Sequence, residues 1–181
     1  MMKKIATFAL IFTLAATTML AACGTKQTTT ESTSSETTTE ASMANPMQEV
    51  DAEEMCGRVG VDLNAPEGAT DIHCYIIDTG DAKIAEMTFK LDGKEYTYRA
   101  TPNEMDITEL SGYYFEAPTE SYAEVAGREG QILTQDESSV LYWEDKVPGI
   151  CYSLSSTSCK DPSVLLTIAE QTFVPMQGEV G

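Results

Sequence analysis

The stretch EMTFKLDGKEYTYR (residues 86–99) sets an Asp-Gly pair between two runs of alternating apolar and polar side chains. Both central positions of a two-residue hairpin turn take positive φ, which glycine adopts freely and aspartate tolerates, so Asp92 and Gly93 are read as the turn. With that turn fixed, Leu91 faces Lys94, Lys90 faces Glu95, Phe89 faces Tyr96, Thr88 faces Thr97, Met87 faces Tyr98 and Glu86 faces Arg99. One face then collects Met87, Phe89, Leu91, Tyr96 and Tyr98, while the other carries two opposite-charge pairs and a threonine pair. A slip of one residue would scramble both faces, so the register is specified. The apolar face is expected to meet a core and the polar face to meet solvent.

Weaker strands lie around this hairpin. Residues 72–77 (IHCYII) are β-rich and bounded by turn-forming residues. Residues 112–116 are aromatic, and residues 132–134, 140–143 and 150–154 are separated by QDESS and EDKVPG, which read as hairpin loops. Two helices bracket the strands. Residues 51–59 begin with Asp51 as N-cap and Glu54 three positions on, and Gly57 and Gly60 weaken the end. Asp161-Pro162 opens the other, with Val164, Leu165, Ile168 and Ala169 as its apolar stripe. Helix, run of strands, helix implies an α+β domain with a curved antiparallel sheet of about six strands and one helix at each end. Residues 45–181 suffice for one domain with one core, and no internal repeat is visible.

The beginning of the chain speaks to location. Met1-Met2-Lys3-Lys4 is a short positive segment and residues 5–20 an apolar one, too short and too threonine-rich to span a bilayer comfortably, so residues 1–22 read as a secretory signal. Leu20-Ala21-Ala22-Cys23 resembles the lipobox of bacterial lipoproteins, in which the thiol of Cys23 accepts diacylglycerol and the signal is cut before it. Residues 23–44 follow as a Thr/Ser/Glu-rich tract with almost nothing to bury, a disordered tether spanning about 25 Å as a coil and up to about 65 Å if pulled straight.

Charge narrows the partners. The whole chain carries 11 basic and 29 acidic side chains, a net of −18. Loss of Lys3 and Lys4 with residues 1–22, which hold no acid, takes this to −20, with 9 basic side chains against 29 acidic ones. Nucleic acid and anionic membrane surfaces, both polyanions, are thereby disfavoured as direct partners, and a soluble body held near the membrane only by its lipid fits.

Four cysteines remain, Cys56, Cys74, Cys151 and Cys159, in what would be a thiol-poor compartment. None forms a CxxC pair and the one histidine, His73, adjoins Cys74, so zinc is conceivable but lacks the paired short spacing of a zinc site. Two disulfides are expected, Cys56 with Cys74 and Cys151 with Cys159 among three possible connectivities, each closing a short loop for about 2–3 kcal/mol.

The order of elements also carries a resemblance. NPM before a short acidic helix, APEGAT, EMTFKLDGKEYTYRA, DITELSGYYF, VLYWEDKVPGICYSL and DPSVLLTIAEQ together resemble a family of uncharacterised lipoprotein domains from Gram-positive bacteria of the clostridial type. In that family a Gly-x-x-Tyr-x-x-Arg hairpin precedes an Asp-Ile-Ser-Gly-like turn, a tryptophan strand, a Tyr-Ser-Leu strand and a terminal helix. The resemblance covers most of residues 45–171 and implies fold and location, with no reaction. This chain departs from it in the three residues that intervene within Asp106-Ile107-Thr108-Glu109-Leu110-Ser111-Gly112, and in its four cysteines.

A catalytic triad or Cys-His pair would have to use His73, which alternates with its neighbours as an ordinary strand residue. Asp78, Asp81 and the pairs Asp136-Glu137 and Glu144-Asp145 lack the spacing that wraps a calcium ion. No metal and no cofactor is expected. Aromatic side chains supply the other class of function: Tyr113, Tyr114, Tyr122 and Trp143 are the candidate contacts for an envelope protein, peptide or glycan. The expectation is a monomeric, lipid-anchored, non-enzymatic binding module on the extracytoplasmic face of the cell membrane. An envelope stress sensor or accessory protein, or an envelope hydrolase using carboxylates, is the competing reading.

Overall fold

The computed structural model describes residues 46–175 apart from Pro148, so the signal segment, Cys23 and the tether lie outside the described residues. The chain divides into two units, residues 1–41 and 42–181, and the architecture below is that of the second. Its order is β1 (Met47–Val50), α1 (Ala52–Val59), β2 (Thr70–Asp78), β3 (Lys83–Leu91), β4 (Lys94–Thr101), α2 (Ile107–Ser111), β5 (Thr119–Val125), β6 (Arg128–Gln135), β7 (Ser138–Asp145), β8 (Ile150–Ser156) and α3 (Pro162–Thr172).

The Asp92-Gly93 hairpin forms in the expected register from Glu86–Arg99 to Leu91–Lys94, with both turn residues at positive φ (51° and 75°). It lies in the interior of one eight-stranded antiparallel sheet of order β1-β2-β3-β4-β8-β7-β6-β5. That order is two meanders, β1–β4 and β5–β8, joined where β4 pairs with β8. The α+β class with an antiparallel sheet therefore holds, but with eight strands where about six were expected.

Three corrections revise the set of strands. Residues 112–116 are not a strand. Asp106 caps α2 by accepting from the Glu109 N–H (2.8 Å), and Gly112 ends it at φ 72°, so the aromatic residues after it form a loop. The strand on that side starts later, as β5, and is closed to β6 by Ala126-Gly127, a second two-residue turn with both φ positive (46° and 83°). The remaining addition is β1, four residues at the opposite edge.

Alternation gives the sheet two unequal faces. Cys74, Ile76, Met87, Phe89, Tyr96, Tyr98, Leu154, Trp143 and Ile132 project from one face into the main core. There α1 contributes Met55 and Val59, and α3 contributes Leu165, Ile168 and Ala169. Both helices begin as the sequence requires: Asp51 accepts from the Glu54 N–H at 2.7 Å and Asp161 from the Ser163 N–H at 3.0 Å. Each large side chain fully buried here is worth roughly 1.5–3 kcal/mol. The opposite face is polar, and only its middle is covered, where Leu110 of α2 packs on Ile84 and Cys151.

Candidate functional site

The registers line up one residue from every strand on the polar face, forming a row Glu49, Tyr75, Glu86, Arg99, Ser153, Tyr142, Gln131, Tyr122 across the whole sheet. Its middle is closed. Arg99 Nε donates to Glu86 Oε2 at 2.6 Å and Nη1 to the Leu110 carbonyl at 3.1 Å, tying α2 to the sheet. Glu86 is only 2 % exposed, so this pair is buried, whereas the polar face of the hairpin was expected to meet solvent. The exposed Lys90–Glu95 pair, 3.7 Å apart, does meet that expectation. Gly112 makes the closure possible: a Cβ there would lie 2.6 Å from Arg99 Nη1.

The end of the row formed by β5, β6 and β7 is open. Tyr122, Gln131, Tyr142, Glu129 and Glu144, with the turn residues Gly127, Lys146 and Val147, line a groove of about 620 Å³. Tyr122 stands 66 % exposed at its rim. Its hydroxyl donates to Glu120, and Gln131 Nε2 donates to Glu120 Oε1 at 2.8 Å. These two donors, Tyr122 first, hold the Glu120 carboxyl below its usual range, and the same carboxylate raises the Tyr122 phenol. On the floor the Tyr142 hydroxyl donates to the Met105 carbonyl at 3.0 Å and lies 3.3 Å from Cys151 Sγ, and burial pushes its pKa well up.

One row further along the same face, Glu124 of β5 stands directly opposite Glu129 of β6. The register that pairs Gly130 with Trp143 then sets Glu129 beside Glu144 of β7. Like charges opposed across strands repel. Two cations line this end. Lys146 is one, and Arg128 is the other and is engaged: its Nη2 and Nε reach Asp145 Oδ1 at 3.1 and 3.3 Å, Nη1 donates to the Ala126 carbonyl, and the guanidinium lies 5.7 Å from the Phe173 ring centre. The groove thus offers carboxylates, two phenols, an amide and the Lys146 ammonium around an open floor. Such an arrangement binds and orients a ligand through hydrogen bonds and charge.

Of the residues singled out from sequence, Tyr122 belongs to the groove. Tyr114 is 82 % exposed and Tyr113 stacks on Phe115 with ring centres 6.2 Å apart, all three in the loop before β5 and none lining the groove. Trp143 is corrected from surface contact to core: it is fully buried, stacked on Tyr152 at 5.3 Å and edge-on to Phe173 at 5.6 Å. His73 sits on the polar face with Nδ1 3.0 Å from Glu49 Oε1. Asp78 ends β2 and accepts from the Gly80 N–H at 3.0 Å in the turn that follows. Among the described residues no group of three His, Cys, Asp or Glu is placed to hold a metal ion.

Cys56, Cys74, Cys151 and Cys159 are unbridged in the structure, and its geometry separates the expected pair Cys151 and Cys159. Cys151 packs with Ile84 and Leu110 on the α2 side, whereas Cys159 lies in the main core. The Cys159 carbonyl accepts from Ser139, which pairs with Ser156 at the far end of β8. Five residues of strand, about 16 Å at roughly 3.3 Å each, separate Ser156 from Cys151, well beyond disulfide reach. For the other pair, α1 turns Met55 and Val59 toward the core that holds Cys74 and leaves Cys56 partly exposed. Burial, with Asp51 nearby, raises the Cys74 thiol and keeps it unreactive.

Sequence reading missed Glu120, Glu124, Glu129 and Gln131. Their signal was the Ala126-Gly127 turn, which fixes β5 against β6 and collects these residues on one face. No family model, no curated protein and no solved structure matches this chain.

Proposed function

We propose that this chain is a lipid-anchored binding module of the cell envelope, held through Cys23 on the extracytoplasmic face of the membrane and presenting the groove on β5–β7 to a partner. The lipobox-like Leu20-Ala21-Ala22-Cys23, the tract of residues 23–44 and the resemblance to clostridial-type lipoprotein domains support the location. The groove carries the binding reading: about 620 Å³ of open space beside an exposed tyrosine whose hydroxyl is already oriented by Glu120. The role proposed is non-enzymatic: the one histidine, His73, has Nδ1 3.0 Å from Glu49 Oε1 and does not line the groove.

The test is recovery of the full chain from its own envelope in mild detergent, followed by native mass spectrometry of wild type and Tyr122→Ala. Wild type should carry a bound molecule that the variant loses while its unfolding midpoint is unchanged. Equal retention by both would remove the groove from the proposal.

A further inference from the structure

Resting on that reading of the groove, we propose that its ligand is a basic peptide in extended form, which pairs with the outer edge of β5 as a ninth strand and lays alternate Lys or Arg side chains over the groove. Two independent features point to this occupant.

One is the edge itself. β5 ends the sheet, and among the described residues it pairs with β6 alone. It is seven residues long, with no proline, lysine or bulge within it, so charge is the device that guards this edge: Glu120 and Glu124 stand on it and oppose an acidic strand. The other edge is different: β1 has four residues, and its Gln48 and Glu49 already engage Arg58 (3.0 Å) and His73 (3.0 Å). An added strand satisfies backbone groups along β5 and takes its specificity from alternate side chains.

The other is charge with the right period. Glu120, Tyr122 and Glu124 alternate along β5 on the groove face, backed by Glu129 of β6 and Glu144 of β7. Side chains directly opposite on paired strands lie about 5 Å apart, so a peptide reading basic-x-aromatic-or-Arg-x-basic would set its cations over Glu120 and Glu124 and stack its central residue on Tyr122. Its charge would also relieve the repulsion of Glu124 and Glu129, which face each other with no cation between them in their pair. A second copy of the chain, with a net charge of −18, would bring a like-charged β5 against the first. The same acids therefore repel self-pairing and admit a basic strand.

The proposal is tested on the full chain by fluorescence anisotropy with a labelled nonapeptide alternating Lys and Thr. Two versions of this probe, N-methylated at the odd or at the even residues, run alongside it. Glu124→Gln/Glu129→Gln/Glu144→Gln is compared with Glu67→Gln/Glu104→Gln/Glu137→Gln, which removes the same charge from exposed sites elsewhere. The peptide should bind, the groove variant should lose at least tenfold in affinity, the control less than twofold, and one N-methylated version should lose binding altogether. Equal losses in both variants would reduce the effect to long-range attraction and overturn the proposal. Equal binding of both N-methylated peptides, or no binding of the parent, would overturn it as well. If it falls while Tyr122→Ala still releases the envelope partner, only the ligand class is lost and the groove stands.

Discussion

Gly112→Ala is a change of one methyl group that should cost much of the stability of the domain. Gly112 closes α2 at φ 72°, in the left-handed region, where a side chain costs about 1–2 kcal/mol. The new Cβ would also lie 2.6 Å from Arg99 Nη1, a contact that cannot stand, so the guanidinium must move. Moving it loosens the 3.1 Å bond to the Leu110 carbonyl and strains the 2.6 Å bond to Glu86, a carboxylate with almost no access to water. A hydrogen bond to a charged group is worth about 1.5–3 kcal/mol, so the total comes to about 2.5–5 kcal/mol. For a urea slope of about 2 kcal/mol/M this moves the unfolding midpoint down by about 1.2–2.5 M. The assay is urea unfolding followed by Trp143 fluorescence, in the wild-type background and in Arg99→Met. With the guanidinium gone only the backbone share should remain, about 1–2 kcal/mol. A cost within about 0.5 kcal/mol of zero in the wild-type background, or an undiminished cost in Arg99→Met, would refute the reasoning.

Three more expectations follow from the described geometry and the sequence. Under native conditions an aromatic disulfide reagent should modify Cys56 first, with Cys74, Cys151 and Cys159 reacting only on unfolding; a native protein without titratable thiols would show that the cysteines are paired after all. Burial, aided at Tyr96 by Cys159 and at Tyr152 by Asp145, pushes both phenols up to about 12, against 10.0 ordinarily. Because the folded pKa is the higher, the stability they contribute is full below pH about 10 and lost as pH rises through about 12. Absorbance near 295 nm during an alkaline titration should therefore show these two ionising only late, and ionisation of every tyrosine near pH 10 in the folded state would contradict their burial. Finally, Cys23→Ala should shift the protein from the membrane fraction to the soluble one, and unchanged fractionation would remove lipid as its anchor.

What could be read in advance was whatever depends on neighbours in sequence. The Asp92-Gly93 turn fixed six cross-strand pairs because side chains alternate with period two, and all six form. Asp51 and Asp161 announced two helices because a short acidic side chain satisfies free N–H groups that any helix start exposes. What could not be read depends on partners distant in the chain. The buried Glu86–Arg99 pair looks like a solvent-facing ion pair until α2 is laid over it, and α2 is five residues long, too short to show a periodic stripe. β5 escaped notice because TESYAEV, an edge strand exposed on most of its length, has no apolar alternation, and the aromatic run at residues 112–116 drew the strand assignment instead. Trp143 reads as a contact from residue type alone because type does not reveal face, and its face is set by the register with β8. The Cys151–Cys159 pairing misleads for a related reason: the two are close in sequence, but most of β8 separates them.

Whether the groove on β5–β7 is where a partner sits can be decided by hydrogen–deuterium exchange of the full chain in isolated envelope and in purified form. Slower exchange over residues 119–135 in the envelope, with α1 and α3 unchanged, is the expected result. Protection on α1 or α3 with none on residues 119–135 would place the partner on the other side of the sheet and contradict the proposed site.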